Sequence, residues 1–361
     1  MKRYCIEYFI LPIFVMIGTV LFAQTVAEQD PHWQIDWQDD FHIFNPSIWE
    51  AKNNWDHWAS LAKPGEQRQK LVYLNNQNNV RVQGGSLILQ SYQQTYSCPP
   101  SYWHHEHCSY QDTIPSHPPY TYTSGWVQTK NTNLLYGLVE ARIKVSYGMG
   151  LNSAFWMIHK PGLPDWYYSE IDIFEMIPGY DPNENFDTLF HDHFWMSNNI
   201  HWNSVPYGFV VTNYNPNMIG DYTQWHIYTL EWTPNSIKFY LDGELIRSET
   251  NKGNFEPMQL ILNIGLTNHQ PNAGTFPSKM EIDWIRWYKL KKDCNAPMDY
   301  CSYNFQNHDN KVKKYIRIGG SGCSNILTSK TVLKAKEDIT IFGAFEVPLG
   351  TGLNMDVRAC Y

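Results

Sequence analysis

The sequence predicts an all-β protein, and three observations carry that reading. Stretches rich in strand formers follow one another almost without a break as far as Lys292. Stretches with the 3.6-residue period of an amphipathic helix are scarce. Residues 79–91, NVRVQGGSLILQS, alternate apolar and polar side chains around Gly84-Gly85, which is a hairpin signal. At 361 residues the chain has room for one large β domain and a smaller appendage.

Taken in order, the chain opens on an export signal. Lys2 and Arg3 precede an apolar run from Ile10 to Phe22, and Ala23 and Ala27 offer small residues for cleavage. Residues 1–27 therefore read as a signal peptide. The run is short for a membrane helix, so the mature protein is expected to be secreted without a span. Losing Cys5 with the signal leaves six of seven cysteines, an even number that favours disulfides in an exported chain. Proximity suggests Cys98–Cys108, Cys294–Cys301 and Cys323–Cys360, among the many connectivities that six cysteines allow.

Residues 92–122 read as an insertion rich in Tyr, Pro and His, without periodicity. Loops of this length in a compact domain are usually functional or disordered. Cys98 and Cys108 enclose His104, His105, Glu106 and His107. That spacing fits none of the zinc patterns with paired ligands at C-x2–4-C or H-x3–5-H, so a disulfide-closed loop near a cleft rim is expected. His191-Asp192-His193 lacks a third ligand at defined spacing and reads as a loop or substrate contact. After Lys292 the composition shifts. Residues 293–361 hold four cysteines, a glycine-rich patch at Gly319–Gly322 and two short alternating stretches, which predicts a small β-rich module. No internal repeat is evident.

Composition narrows the function. A net charge of −8 argues against an electrostatic nucleic-acid reader. Neither a P-loop nor a G-x-S-x-G elbow occurs. Aromatic residues make up 16% of the chain, more than a core requires, and such rings serve as stacking platforms for sugars.

The chemistry concentrates in residues 166–175, WYYSEIDIFE, where Glu170, Asp172 and Glu175 interrupt strand formers. In a regular strand Glu170 and Asp172 share a face and Glu175 points the other way. One extra residue in a β-bulge returns Glu175 to that face. Three carboxylates on one sheet wall repel one another and raise at least one pKa, which suits acid–base work better than a core. A solvated charged strand would carry basic partners, and none lies between Lys160 and Glu175.

This E-x-D-x-x-E pattern resembles the active-site strand of glycoside hydrolase family 16 in its bulged form. Residues 136–156, YGLVEARIKVSYGMGLNSAFW, are similar to the family's strand pair leading to the cleft. Residues 225–247 resemble its later hairpin, and residues 280–288, MEIDWIRWY, its closing strand. FHIFNPSIWE and NNWDHW, between Trp33 and Asn75, resemble its opening strand. The likeness runs from about residue 36 to residue 292, so residues 28–292 are expected to form the catalytic domain.

The resemblance implies an antiparallel β-sandwich of the jelly-roll type. It also implies a secreted, endo-acting enzyme that cleaves internal β-linkages of a polysaccharide with retention, most readily a β-1,3- or mixed β-1,3/1,4-glucan. Retention takes two carboxyls about 5 Å apart, one nucleophile and one acid/base. By the family match these are Glu170 and Glu175, with Asp172 bonded to the nucleophile. Trp156, Trp166, His201, Trp202 and Asn263 are the expected cleft contacts. No cofactor is expected for catalysis. A structural calcium is implied at Asp283 with a carbonyl from Gly85, and the enzyme is expected to be a monomer. Asn152-Ser153 stand where many family β-1,3-glucanases carry Trp-Pro, which keeps agar- or porphyran-type galactans and host β-galactosyl glycans open as substrates. A non-catalytic carbohydrate-binding protein is the rival class, and it would be expected to lose one of the three acids.

Overall fold

A computed structural model describes residues 25–29, 33–55, 70–97, 120–164, 167–178, 194–204, 208–214, 223–234, 236–252, 255–267, 271, 274–290, 297–305, 312–327, 330–343, 345–347, 349 and 351–357. The sequence's alternating stretches become strands. After a one-turn helix α1 (Val26–Gln29) come β1 (Trp33–Asp39), β2 (Trp49–Ala51), β3 (Asn54–Trp55), β4 (Leu71–Tyr73), β5 (Val80–Gln83) and β6 (Ser86–Tyr96). Next are β7 (Tyr120–Ser124), β8 (Trp126–Thr129), β9 (Gly137–Lys144), β10 (Leu151–His159), β11 (Ser169–Pro178) and β12 (Phe194–Ser204). The last six strands of the large domain are β13 (Gly208–Tyr214), β14 (His226–Trp232), β15 (Ser236–Leu241), β16 (Glu244–Thr250), β17 (Met258–Leu266) and β18 (Ser278–Leu290).

Among the described residues these strands form two sheets. One runs β16-β15-β14-β9-β18-β6-β7-β4-β3, with β1 on β18 and β5 on β6; the other runs β13-β12-β11-β10-β17-β8-β2. Pairing is antiparallel throughout the second sheet. Inward residues of the two sheets meet in one core, with Val139, Ala141, Ile143, Ile282 and Ile285 on one side and Phe155, Met157, Ile171, Leu260, Leu262 and Ile264 on the other. This is the jelly-roll sandwich that the resemblance implies. Gly84 and Gly85 both take positive φ, 63° and 79°, in the predicted hairpin between β5 and β6. Two central residues at positive φ make the type I′ geometry that suits a two-residue hairpin loop.

Two expectations change here. The aromatic excess is partly core, since Trp49, Trp232 and Trp287 are wholly buried. The 92–122 insertion begins later and ends sooner than its composition suggests. Tyr92, Gln93 and Tyr96 pair with Thr123, Tyr122 and Tyr120, because alternating Tyr, Thr and Gln serve well enough in a half-buried hairpin. Cys98, Cys108 and the histidines between them lie outside the described residues, as does His191-Asp192-His193.

The outer face of the larger sheet is covered at one place by α1. Val26 and Ala27 pack with Trp33, Leu138 and Tyr288, and Glu140 accepts the backbone N–H groups of Val26 and Ala27 at 2.7 and 3.2 Å. The packed body thus includes Thr25–Ala27, and residues 1–24 of the expected signal lie outside the described residues. No helix among the described residues is long and apolar enough to cross a membrane.

The C-terminal module is β-rich as expected, and its strands run parallel. They are β19 (Met298–Tyr300), β20 (Asn304–Phe305), β21 (Val312–Lys313), β22 (Ile316–Gly319), β23 (Ile326–Leu327), β24 (Lys330–Ala335), β25 (Ile339–Phe342) and β26 (Gly352–Val357). Met298 lies beside Ile316 and Ile316 beside Ile339; Asn304 lies beside Ile326; Lys330 lies beside Gly352. The chain therefore visits three small sheets in turn and returns to each after about 20 residues, which is the winding of a solenoid. The repeat escapes the sequence because only Ile316, Ile318, Leu333, Ala335 and Tyr300 mark its buried interior. Cys301 is bonded to Cys323. That overturns the expected Cys294–Cys301 and Cys323–Cys360 pairs, since winding brings residues one circuit apart closer than sequence neighbours.

Candidate active site

The three acids lie on β11, on the face turned away from the core. Against β10, Ala154 opposes Glu175, Phe155 opposes Phe174 and Trp156 opposes Asp172, which leaves Ile173 unmatched. Against β12 the same extra residue appears between Asp172, across from Asn199, and Glu175, across from Ser197. The β-bulge anticipated from the spacing is present, and it restores Glu175 to the side of Glu170 and Asp172. The carbonyl of Ile173 accepts the side-chain amide of buried Asn198, and Arg247 in turn donates to the Asn198 carbonyl at 2.5 Å.

Each acid has its own partners. Glu170 and Asp172 are 5% and 3% exposed. Tyr168 donates its phenol O–H to Oε2 of Glu170. His201, across the β11–β12 pair from Glu170, places Nε2 3.6 Å from Glu170 Oε1 and 3.3 Å from Asp172 Oδ2. Glu175 is less buried and is held by two amides, Asn152 Nδ2 donating to Oε1 at 3.0 Å and Asn199 Nδ2 to Oε2 at 2.8 Å.

Burial and mutual repulsion set the titration. Burial first, then the charge of Asp172, pushes Glu170 well above the usual carboxylate range, against the opposing effects of His201 and Tyr168. Asp172 is pushed the same way by burial and by Glu175, and it shares a hydrogen bond with Glu170. The pair therefore holds a proton more tightly than two separate acids would. One ligand-capable atom from each of Glu170, Asp172 and His201 lies within 4.8 Å of the others, a set that could hold a divalent cation.

The other expected contacts separate. Trp156 and Asn263 are brought together beside the acids, since Trp156 lies across from Asp172 on the same face, with the indole N–H donating to Asn263 Oδ1 at 2.8 Å and Asn263 donating to Tyr73 at 3.0 Å. Both are nearly buried, and Trp126 meets Trp156 edge-on at 5.5 Å. His201 joins the acids directly. Trp202, its neighbour on β12, takes the opposite face and packs against the core beside Phe255, so it is no cleft contact; strand alternation excludes adjacent residues from one face. Trp166 lies outside the described residues. Tyr168, Asn198 and Asn199 were not singled out by sequence, and Asn152 stood out only as a departure from Trp, although the two-residue step from Tyr168 to Glu170 was a usable signal.

Of the calcium candidates, Asp283 follows Ile282, which lies across from Leu87, two residues after Gly85. Asp283 is the extra residue of a bulge in β18 against β9, and its Oδ2 accepts from Arg142 at 2.6 Å. Its carboxylate offers oxygen donors of the kind calcium prefers, and Arg142 already engages one of the two oxygens.

Known proteins place this arrangement. Glucan endo-1,3-beta-glucosidase A1 of Niallia circulans is 28% identical over 279 residues, covering 70% of this chain but only 37% of that protein. Kappa-carrageenase of Pseudoalteromonas carrageenovora is 27% identical over 330 residues, 82% of this chain and 77% of that one. The laminarinase catalytic domain from Thermotoga maritima MSB8 superposes with a TM-score of 0.52 at 24% identity, over 71% of this chain and 98% of that one. Residues 67–286, well over half the sequence and including the bulged strand with its three acids, match the family model for glycosyl hydrolases family 16. The chain belongs to that family and is a glycoside hydrolase.

Proposed function

We propose that the protein hydrolyses internal linkages of a β-1,3- or mixed β-1,3/1,4-glucan with retention of configuration. The bulge carries the reading, because it sets Glu175 on the same face as Glu170. Glu170 attacks the anomeric carbon, and Glu175 gives its proton to the leaving oxygen and later takes one from water. Asp172 shares a hydrogen bond with Glu170 and shapes its charge. Asn152 and Asn199 aim the Glu175 carboxyl, and His201 lies between the other two acids. Glucan as substrate is supported by the Niallia relative.

A galactan is the second reading. Asn152 fills the position where many glucanases of the family carry Trp, and here it reaches Glu175; the carrageenase relative acts on a galactan. Incubation with laminarin, lichenan, agarose, porphyran and mucin glycans, followed by sizing of the products, decides between them. Short oligosaccharides from laminarin or lichenan support the glucan reading, and products from the galactans alone overturn it. We further propose export as a monomer after signal removal, with calcium held by Asp283 and the Gly85 carbonyl as a structural ion only.

A further inference from the structure

Tyr168 stands one residue ahead of β11 and two before Glu170, and its side chain reaches the acid cluster. Its phenol donates to Oε2 of Glu170. The other oxygen, Oε1, faces His201 Nε2 at 3.6 Å, beyond hydrogen-bond distance. The phenol ring is braced in turn. His159 meets it edge-on, ring centroids 5.4 Å apart and planes at 71°. His159 is itself fixed by the Ser169 N–H, which donates to Nδ1 at 3.2 Å. Burial keeps His159 below the usual imidazole range, so it braces the ring as a neutral group.

We infer that Tyr168 is a positioning residue for the displacement, pinning Oε2 of Glu170 so that Oε1 forms the bond to the sugar. The inference rests on the assignment of Glu170 as nucleophile. A carboxylate free to turn about its last torsion presents either oxygen, and a fixed donor on one oxygen removes that freedom. A phenol suits the task better than a cation, which would neutralise the attacking group. Burial and the neighbouring Glu170 charge hold the Tyr168 phenol far above its usual range, so it remains a donor at every working pH.

The steps balance around that contact. As Oε1 bonds to the anomeric carbon, the bond to the leaving oxygen breaks and that oxygen takes the Glu175 proton. When water cleaves the ester, Glu175 takes the water proton and the negative charge returns to Glu170. Tyr168 donates to Oε2 in both halves. The groups that face Glu170 are Asp172 and Glu175 on its own strand, Tyr168 before it and His201 from β12, while β10 opposes it with apolar Ile158.

The test is Tyr168→Phe beside Glu170→Gln, measured on whichever polysaccharide the wild type cleaves best. Tyr168→Phe should lower kcat by about 100-fold, the scale for losing one preorganised donor at a reacting centre, with KM nearly unchanged. The acid limb of kcat/KM should move to higher pH, because the anion has lost a donor. A fluorinated tyrosine at position 168 keeps the fold's contacts and is a stronger donor, so it should move that limb to lower pH. Wild-type kcat and an unmoved acid limb in Tyr168→Phe, next to an inactive Glu170→Gln, overturn the inference alone. Activity surviving in Glu170→Gln overturns the functional reading and this inference with it.

Discussion

The side-chain amide of Asn198 donates to the backbone carbonyl of Ile173, the one residue that β11 carries in excess of both its neighbours. A bulge leaves a backbone group without its ladder partner, and in a buried strand that group needs another. Asn198 is 1% exposed and supplies it.

Asn198→Leu should therefore loosen the bulge and displace Glu175 relative to Glu170. We expect activity to fall at least tenfold, with a stability loss of about 1–3 kcal/mol from the unsatisfied carbonyl. Turnover on the best polysaccharide and a urea melt check both. A fully active, equally stable variant would mean that the bulge holds without this amide.

Glu170→Gln should abolish hydrolysis and raise the melting temperature at neutral pH. Burial and Asp172 hold the folded pKa of Glu170 well above its unfolded value. The folded state therefore binds this proton more tightly, and the stability so gained is complete at low pH and lost as pH rises through the folded pKa. Glutamine escapes that loss. Its advantage should be largest at pH 7–8 and vanish in acid, with each ~1 kcal/mol appearing as about 1–2 °C for a chain of this size. A variant that melts below the wild type at pH 8 would show that the ionised cluster is not costly.

Glu140 is wholly buried, and α1 gives it two backbone donors. A chain starting at Asp30 should melt several degrees below one starting at Thr25, since hydrogen bonds to a charged group contribute about 1.5–3 kcal/mol each. Sequencing the mature protein should accordingly find its first residue at or before Thr25, which favours cleavage at Ala23 over Ala27. A mature chain beginning at Glu28 with undiminished stability speaks against the strap.

Calcium at about a hundred times its Kd should stabilise the sandwich by ~2.7 kcal/mol, and a chelator should remove that gain. Asp283→Asn also breaks the half-exposed pair with Arg142, worth about 0–1 kcal/mol. The decisive readout is the loss of calcium dependence, measured as melting with and without the ion. Equal melting of the wild type in calcium and in chelator removes the site.

The bulge and the Gly84-Gly85 hairpin were legible because each rests on a local rule, the period of two in a strand and the positive φ of a tight turn. Asn198, Asn199 and the reach of Asn152 to Glu175 were not, since their value lies in the registers of β10 and β12 against β11, which no stretch of chain announces by itself. Trp202 shows the cost of choosing a site residue by type: one step from His201, it belongs to the other face. The Cys301–Cys323 bond was hidden for a related reason, because winding, not proximity in sequence, decides which cysteines meet.

The larger sheet sets its first strand against its last, with Trp33 across from Leu290. A chain is made from its N-terminus, so β1 has no partner until residue 290 has left the ribosome. At about 5–20 residues per second that interval is on the order of 15–60 s, during which β18 is missing from between β9, β6 and β1. The sandwich cannot close early from one end. Chaperone demand should therefore fall on the nascent chain as a whole, and a ribosome stalled before β18 should expose a protease-sensitive chain, however many strands it has already finished.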